Sequence, residues 1–498
     1  MATIGLDIGT TGCKATAIDE RGATLYEKYC EYNLVFPQTG WVELDPQVVW
    51  NGVKTVLYSA STNCPQPITS LAVASFGEAV VMLNSDGKSV ANSIFFTDIR
   101  GYDYVETLVS DIGRDYLEAC TGMPVNGMYT LPKLLWLKAN RPEVFGQINM
   151  LLPFASYITY RLTGRYTCDY SLASRTLMFN KNALTWDPKL LQYAGLNLEN
   201  MPVLVPAGEP VGTILPLVAE KLGLSANTMV VSGCHDQVAA ALGAGVCKPG
   251  QAADGIGSAE CITAVLPEDA DLSVLFSQNI CAEPYAVAGR SVALLFNNTA
   301  GAALKWFRDT FKSELRDRCR ERGESVYQIL DSKIKQAPSS LLFLPYLSGT
   351  GTPYMDSTAK GMLYGLTLDS ESRDIYRAII EGMNYEMRLN VELLAQSGLK
   401  PNSLTAVGGG ASSKIALQIK ADILQLPIVT LENPQSGNMG LSILCAVAER
   451  RYFNIEEAMN DLINIKEVIE PDKTYASQYE ESYARYSRLY KAAKYIDA

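Results

Sequence analysis

The sequence predicts an α/β fold made of two similar halves, each opening on a strand–turn–strand hairpin with glycine and a hydroxyl residue at its turn. Three observations carry this expectation. First, short apolar runs recur and end in Gly, Pro or polar pairs, at Thr3–Ile8, Ser70–Ser75, Met229–Ser232, Ala252–Ile256, Leu341–Leu344 and Leu404–Val407. Buried strands that feed loops read this way. Second, stretches of helical period lie between them. In Asp374–Ser397, residues Ile375, Ala378, Ile379, Gly382, Leu389 and Leu393 share a face and Gly398 supplies a stop; in Ser412–Leu424, Ile415, Ile419 and Ile423 form a stripe. Third, a composition break at Gly245–Gly250 divides the 498 residues near their middle, giving domains 1–246 and 247–498. The tail after Tyr452 is charged, with Tyr479, Tyr483, Tyr486 and Tyr490 at helical spacing, and is expected to be helical and packed on the body.

Composition narrows the classes. Apolar residues make up 48% and charged residues 19%, as in a compact globular protein. The net charge is −11 and no dense Lys/Arg run exists, so neither nucleic acid nor an anionic membrane surface is expected as partner. No apolar run reaches the roughly 20 residues of a membrane helix. Eleven scattered cysteines without a CxxC pair read as reduced thiols of a cytoplasmic protein. The chain starts directly on a strand-like run, so no targeting segment is expected ahead of it. His235 is the only histidine, which excludes a multi-histidine zinc site. For oligomeric state a homodimer is the default expectation.

Three segments point to chemistry. In Asp7-Ile8-Gly9-Thr10-Thr11-Gly12, the glycines bring backbone N–H groups toward an anion, the Thr10 and Thr11 hydroxyls can donate, and Asp7 is placed to hold Mg²⁺ through water. The bland alternative is an ordinary hairpin with small turn residues. Gly233-Cys234-His235-Asp236-Gln237 follows a strand and leads into a helix, a usual station for a catalytic carboxylate. Asp236 fits a general base, against the alternative of a helix cap. His235 reads either as a substrate-orienting group or as packing in the strand–helix corner. Gly408-Gly409-Gly410-Ala411-Ser412-Ser413 leaves room for a flat ring or a phosphate at a helix start. It is not GxGxxG with a following acid, and no GxxxxGK[ST] occurs, which disfavours a dinucleotide fold and excludes a P-loop.

These segments, in this order, resemble the FGGY family of carbohydrate kinases, within the actin/Hsp70/hexokinase-like ATPases. The resemblance extends over about residues 3–450. Gly361-Met362-Leu363-Tyr364-Gly365-Leu366 with Asp374-Ile375, Ala378-Ile379-Ile380 and Glu381 fits the family's C-terminal signature, and Met128–Leu137 resembles the N-terminal one. Gly40–Pro46, Thr97–Arg100, Leu162–Gly164 and Phe343–Gly349 are similar to further family segments. The resemblance implies two duplicated ribonuclease H-like domains with a catalytic cleft between them, and MgATP-dependent phosphorylation of a small sugar, a ketose such as xylulose or a related sugar, or of a polyol.

Carried over, it implies that Asp236 is the base, that Asp7 lies near Mg²⁺ and that Thr10 and Thr11 contact the β/γ phosphates. Gly257-Ser258 would be the second phosphate hairpin, and Gly301, Gly409, Gly410 and Ala411 nucleotide contacts. Glu78, Asp98, Arg100 and Gln237 would face the sugar, with Asp236 beside them. Two of the sequence's departures from the family pattern flank the chemistry. Ser258-Ala259-Glu260 replaces Gly-Thr-Ser chemistry and brings a negative charge toward the phosphates. Phe76-Gly77-Glu78 matches neither the Arg-Glu of glycerol kinases nor the Gln-Met-His of xylulokinases. Both departures motivate a second reading, a non-catalytic regulatory nucleotide-binding protein of the same superfold. A chaperone-type ATPase lacks an evident peptide-binding domain.

Overall fold

The computed structural model describes residues 1–497, which divide into two compact units. The first comprises Met1–Cys247, Cys281–Val292 and Gln435–Ile463; the second comprises Lys248–Ile280, Ala293–Pro434 and Asn464–Ala498. Two segments of the 247–498 half therefore pack with the first unit.

The first unit is built on a six-stranded sheet. Its strands are β1 (Ala2–Ile8), β2 (Gly12–Asp19), β3 (Thr24–Glu31), β4 (Ile68–Ser75), β5 (Pro210–Thr213) and β6 (Met229–Val231), in the order β5-β6-β4-β1-β2-β3. β1 runs antiparallel to β2 and parallel to β4, and β6 is parallel to β4. β1 is covered on both faces: Ile4, Leu6 and Ile8 are buried on one, and Thr3 and Gly5, which alternate with them, are buried on the other.

Behind this sheet the helix Asp236–Gly243 crosses the helix Ser436–Ala448 at very close range. A Cβ on Gly243 would meet the Ser436 carbonyl oxygen at 1.8 Å, and one on Gly440 would meet the Ala239 carbonyl oxygen at 2.0 Å. Only glycine fits at either crossing point. The segment Gln435–Ile463 thereby backs the helix that begins with Asp236.

The second unit repeats the plan. Six strands of its seven-stranded sheet are β7 (Gln251–Ile256), β8 (Glu260–Val265), β9 (Ser291–Asn297), β10 (Ser403–Val407), β11 (Ile428–Leu431) and β12 (Ile465–Ile469), in the order β9-β8-β7-β10-β11-β12. β7 is antiparallel to β8 and parallel to β10, as β1 is to β2 and β4. An antiparallel strand closes each sheet beyond its parallel strands, β5 in one unit and β12 in the other. The duplication expected from the two hairpins is thus a duplication of whole sheets.

The long helix begins two residues before its expected start, running Ser372–Gln396, because Glu371 and Asp374 form a reciprocal capping box. The next starts at Lys414 because the Ser413 side chain caps it, after a 3₁₀ turn at Gly409–Ser412. The tail is not all helical: β-branched Ile465, Val468 and Ile469 form β12 before the helix Ala476–Tyr486. Its tyrosines do pack on the body. Tyr479 accepts from Arg377 at 2.8 Å, and Tyr486 donates to Glu386 at 2.6 Å. Among the described residues the eleven cysteines form no disulfide. Among the described residues no helix is long and apolar enough to cross a membrane.

Candidate active site

The first hairpin turn closes with the Gly9 N–H donating to the Gly12 carbonyl at 2.9 Å. Two tyrosines brace it. Tyr32 donates to the Gly9 carbonyl at 2.6 Å, and the Tyr29 hydroxyl lies 3.1 Å from Thr11 Oγ1. Thr10 is half-buried and Thr11 exposed. Asp7, at the end of β1, has a buried Oδ1 without a hydrogen-bond partner. Burial first, and then the negative charge of Asp236, push its carboxyl up to about 7, with Lys14 opposing. Lys14 is held by Gln435 and by Glu27 at 3.8 Å.

Asp236 is not the cap of its helix. His235 occupies the N-cap position and Asp236 the first helical one, leaving its carboxylate free of that duty. The carboxylate is 28% exposed while the His235 ring is 5% exposed. Burial and Glu78 raise the pKa of Asp236, while His235 and a hydrogen bond from Gln237 lower it. His235 does more than pack in the corner. Its Nδ1 lies 2.8 Å from Glu283 Oε1 and its Nε2 3.3 Å from Asp236 Oδ1. Its backbone N–H donates to Ser171 Oγ at 2.9 Å, which in turn donates to Asp169.

Glu78 is neither a surface nor a cap carboxylate. It is buried with φ at +64°, a conformation that residues other than glycine rarely adopt, and its Oε1 accepts from Arg175 Nε at 2.7 Å. Arg175 Nη1 reaches Glu283 Oε2 at 3.2 Å, and the guanidinium lies 5.2 Å from the Tyr129 ring centre. Sequence reasoning missed Arg175 and Glu283. Nothing local marks them, because they meet Glu78 and each other across 97 and 108 residues of chain. Lys133, buried nearby, has a Nζ without a partner, and burial lowers its pKa to about 7.

Asp98 and Arg100, expected to face the sugar, are engaged with each other. Asp98 is fully buried; it accepts from Arg100 Nε at 2.9 Å and Nη2 at 2.7 Å and from the Val42 N–H at 2.6 Å. Arg100 also pairs with Glu43 at 2.9 Å and stacks 4.1 Å from Trp41 and 4.9 Å from Trp136. Their polar groups are consumed in a brace that fixes the Gly40–Pro46 segment.

In the second unit the nucleotide-type residues gather around the end of β7. Gly257, Ser258 and Ala259 form an exposed turn, closed by the Gly257 N–H to the Ala259 carbonyl at 2.9 Å. The helix Gly301–Phe311 docks its first turn on it: the Gly301 N–H donates to Gly257 O at 3.0 Å and the Ala302 N–H to Ser258 O at 3.1 Å. A Cβ on Gly301 would lie 2.6 Å from Gly257 O, so the glycine serves this docking. Gly410 packs on Ile256, where a Cβ would meet its Cγ2 at 2.2 Å, whereas Gly409 faces open space. Ala411 is half-buried in the same turn.

Glu260 does not bring charge to this ledge. It is fully buried and paired with Lys420, which also pairs with Asp254. Two carboxylates share one ammonium in a dry site, so burial and the Asp254 charge push Glu260 up to about 8 against the pull of Lys420. Among the described residues no cluster of three or more His, Cys, Asp or Glu is arranged to hold a metal.

Two sheets of like topology, each with a glycine–hydroxyl hairpin at its centre, together with an aspartate free of capping at the start of the helix that follows a strand, define an ATPase-type phosphotransferase fold. Models of the FGGY family of carbohydrate kinases match residues 2–243 (N-terminal domain) and 257–449 (C-terminal domain). The chain belongs to this family. It is 28% identical over 501 residues to the xylulose kinase of Staphylococcus epidermidis, covering 99% of this chain and 97% of that one. It is 26% identical to the gluconokinase of Bacillus subtilis, covering 96% and 93%. The ligand-bound crystal structure of xylulose kinase from Lactobacillus acidophilus superposes with a TM-score of 0.88 at 25% identity, covering 99% and 98%.

Proposed function

We propose that this protein transfers the γ-phosphoryl group of MgATP to a hydroxyl of a small neutral sugar, a ketose of the xylulose type being the first candidate. The observation that carries the reading is Asp236: a carboxylate at the start of the helix that follows a strand, free of capping, partly exposed, within the field of the buried Glu78. In phosphoryl transfer the protein chiefly positions and neutralises. Asp236 takes the hydroxyl proton as that oxygen attacks phosphorus. Gln237 and Glu78 orient the sugar hydroxyls, with Asp98 and Arg100 holding the surrounding segment. The N-terminal domain 1–246 carries the sugar, the Thr10–Thr11 hairpin and the base. The C-terminal domain 247–498 carries the nucleotide on Gly257, Ser258, Gly301, Gly409, Gly410 and Ala411.

The lone buried Asp7 Oδ1 fits a water-mediated Mg²⁺ site, since Mg²⁺ retains most of its water and takes one or two carboxylates plus substrate phosphates. Bound there, the ion would neutralise phosphate charge. A ketose is favoured over an aldonate because Glu78 and Asp236 present negative charge, and Arg175 is already engaged by Glu78 and Glu283. The pairing of Glu260 with Lys420 removes one motive for a regulatory, non-catalytic reading.

ADP release measured over xylulose, other ketoses, aldoses, polyols and gluconate tests this. Stimulation by a ketose supports the proposal. Asp236→Asn is expected to retain nucleotide binding and lose on the order of 10²–10⁴ in turnover; full activity in that variant would sink the assignment.

A further inference from the structure

We propose that Glu283, His235 and Asp236 form a carboxylate–imidazolium–carboxylate relay, in which His235 is a positioning residue that keeps Asp236 aimed and ionised for proton acceptance. The inference rests on Asp236 being the base. Its geometric warrant is that both ring nitrogens are engaged at once, Nδ1 by Glu283 at 2.8 Å and Nε2 by Asp236 at 3.3 Å. A neutral imidazole carries only one N–H and cannot donate to two carboxylates; the doubly protonated ring can. Glu283 is fully buried and its other oxygen accepts from Arg175, so it is a fixed anchor rather than a mobile surface acid. The His235 backbone is pinned as well, through Ser171 and the bridge between Ser75 and His235.

The charges facing His235 are Glu283, Asp236 and, repulsively, Arg175; burial opposes the cation, and the sum raises the imidazole to about 9. Those facing Asp236 are His235, Glu78 and Asp7. Glu78 and Asp7 both discourage ionisation of Asp236, and the His235 imidazolium is the nearest charge that favours it. In turnover the sugar oxygen bonds to phosphorus and the bond from phosphorus to the ADP oxygen breaks, its electron pair leaving with ADP. The hydroxyl proton ends on Asp236, which is exposed enough to release it to water. Without the imidazolium, Asp236 would be protonated over a wider pH range and free to rotate away.

Because His235 is the only histidine, the ring can be read directly in the intact protein. Imidazole ¹⁵N NMR in the absence of substrate is expected to show both nitrogens protonated at pH 7, with titration above about pH 8. Glu283→Gln is expected to lower that midpoint by about one pH unit or more. Should that variant fail to fold, Asp236→Asn, altered at a partly exposed position, is expected to lower it too. In kinetics, His235→Asn should reduce kcat on the order of 10-fold or more, with the sugar KM little changed. The acid limb of the kcat/KM profile should move to higher pH. A ring that titrates at or below about 6.5 and ignores both substitutions overturns the relay, as does an unmoved acid limb in an active His235→Asn enzyme. Wild-type protein without sugar-stimulated ADP release overturns instead the functional reading on which the relay rests.

Discussion

Arg175 shows how a single side chain can set the electrostatics of a site whose recognised residues lie elsewhere. It neutralises Glu78 and Glu283, which are both buried, and stacks on Tyr129. Desolvating two carboxylates is tolerable only while the guanidinium stays. Arg175→Met preserves much of the volume and removes the charge, so denaturant unfolding is expected to show a loss of about 3–5 kcal/mol. Adding Glu78→Gln to that variant removes one of the stranded charges and should recover part of the loss, and the non-additivity measures the pair. A loss within about 1 kcal/mol for Arg175→Met would mean that the carboxylates are solvated or protonated instead. This residue was invisible in the sequence for a physical reason. An ion pair formed across 97 residues of chain leaves no periodicity, and Ser174-Arg175-Thr176 looks like any polar helix end. Asp98 and Arg100, two charged residues in a recognisable segment, pair with each other, and spacing alone does not show that pairing.

At the scale of elements, the hairpins were legible and their backing was not. Gly9–Gly12 and Gly257-Ser258 declare a tight turn through residue type alone, since turn chemistry is local. The crossing of Asp236–Gly243 with Ser436–Ala448 is equally dependent on glycine, yet the glycines lie about 200 positions apart and read as ordinary helical breakers. This crossing sets where the first turn carrying Asp236 sits. Gly440→Val would force its Cβ against the Ala239 carbonyl, so overpacking of about 1–3 kcal/mol or more is expected. Turnover should fall beyond what the folded fraction explains, because the helix is displaced. Gly437, in the same helix, has nothing within 4 Å of a built Cβ, and Gly437→Ala is expected to be neutral or stabilising by up to about 1 kcal/mol. Thermal and denaturant melts of the two variants compare a steric cause with a propensity cause. Equal destabilisation by both would count against the tight crossing.

On the whole-molecule scale the chain keeps several carboxylates dry. Burial is the leading cause in each case, pushing Asp169 up to about 6, Asp7, Glu381 and Glu386 to about 7, and Glu260 to about 8. Each folded value lies above the ordinary carboxyl range of about 4, so between those limits the folded chain binds more protons than the unfolded one. The stabilisation from holding these protons is complete below about pH 4 and is lost as pH rises through 6 to 8, with a slope of at most about 1.4 kcal/mol per pH unit for each group. His235 acts in the same direction at higher pH: its imidazolium is raised to about 9, and its stabilising pairs are lost as pH climbs through that value. The carboxyls shifted the other way, such as Asp309 at about 2, titrate below this window and do not oppose it. Lys133 opposes this trend only above about pH 7, where burial has released its proton and the unfolded lysine still holds one, so ligand-free protein is expected to lose thermal stability from about pH 5 to pH 7. Asp7→Asn should flatten part of that slope, because an amide in place of the orphaned carboxylate removes one group that must ionise in a dry site. A Tm that rises over this range, or a slope unchanged in Asp7→Asn, would show that water reaches these carboxylates and that their protons are released on folding.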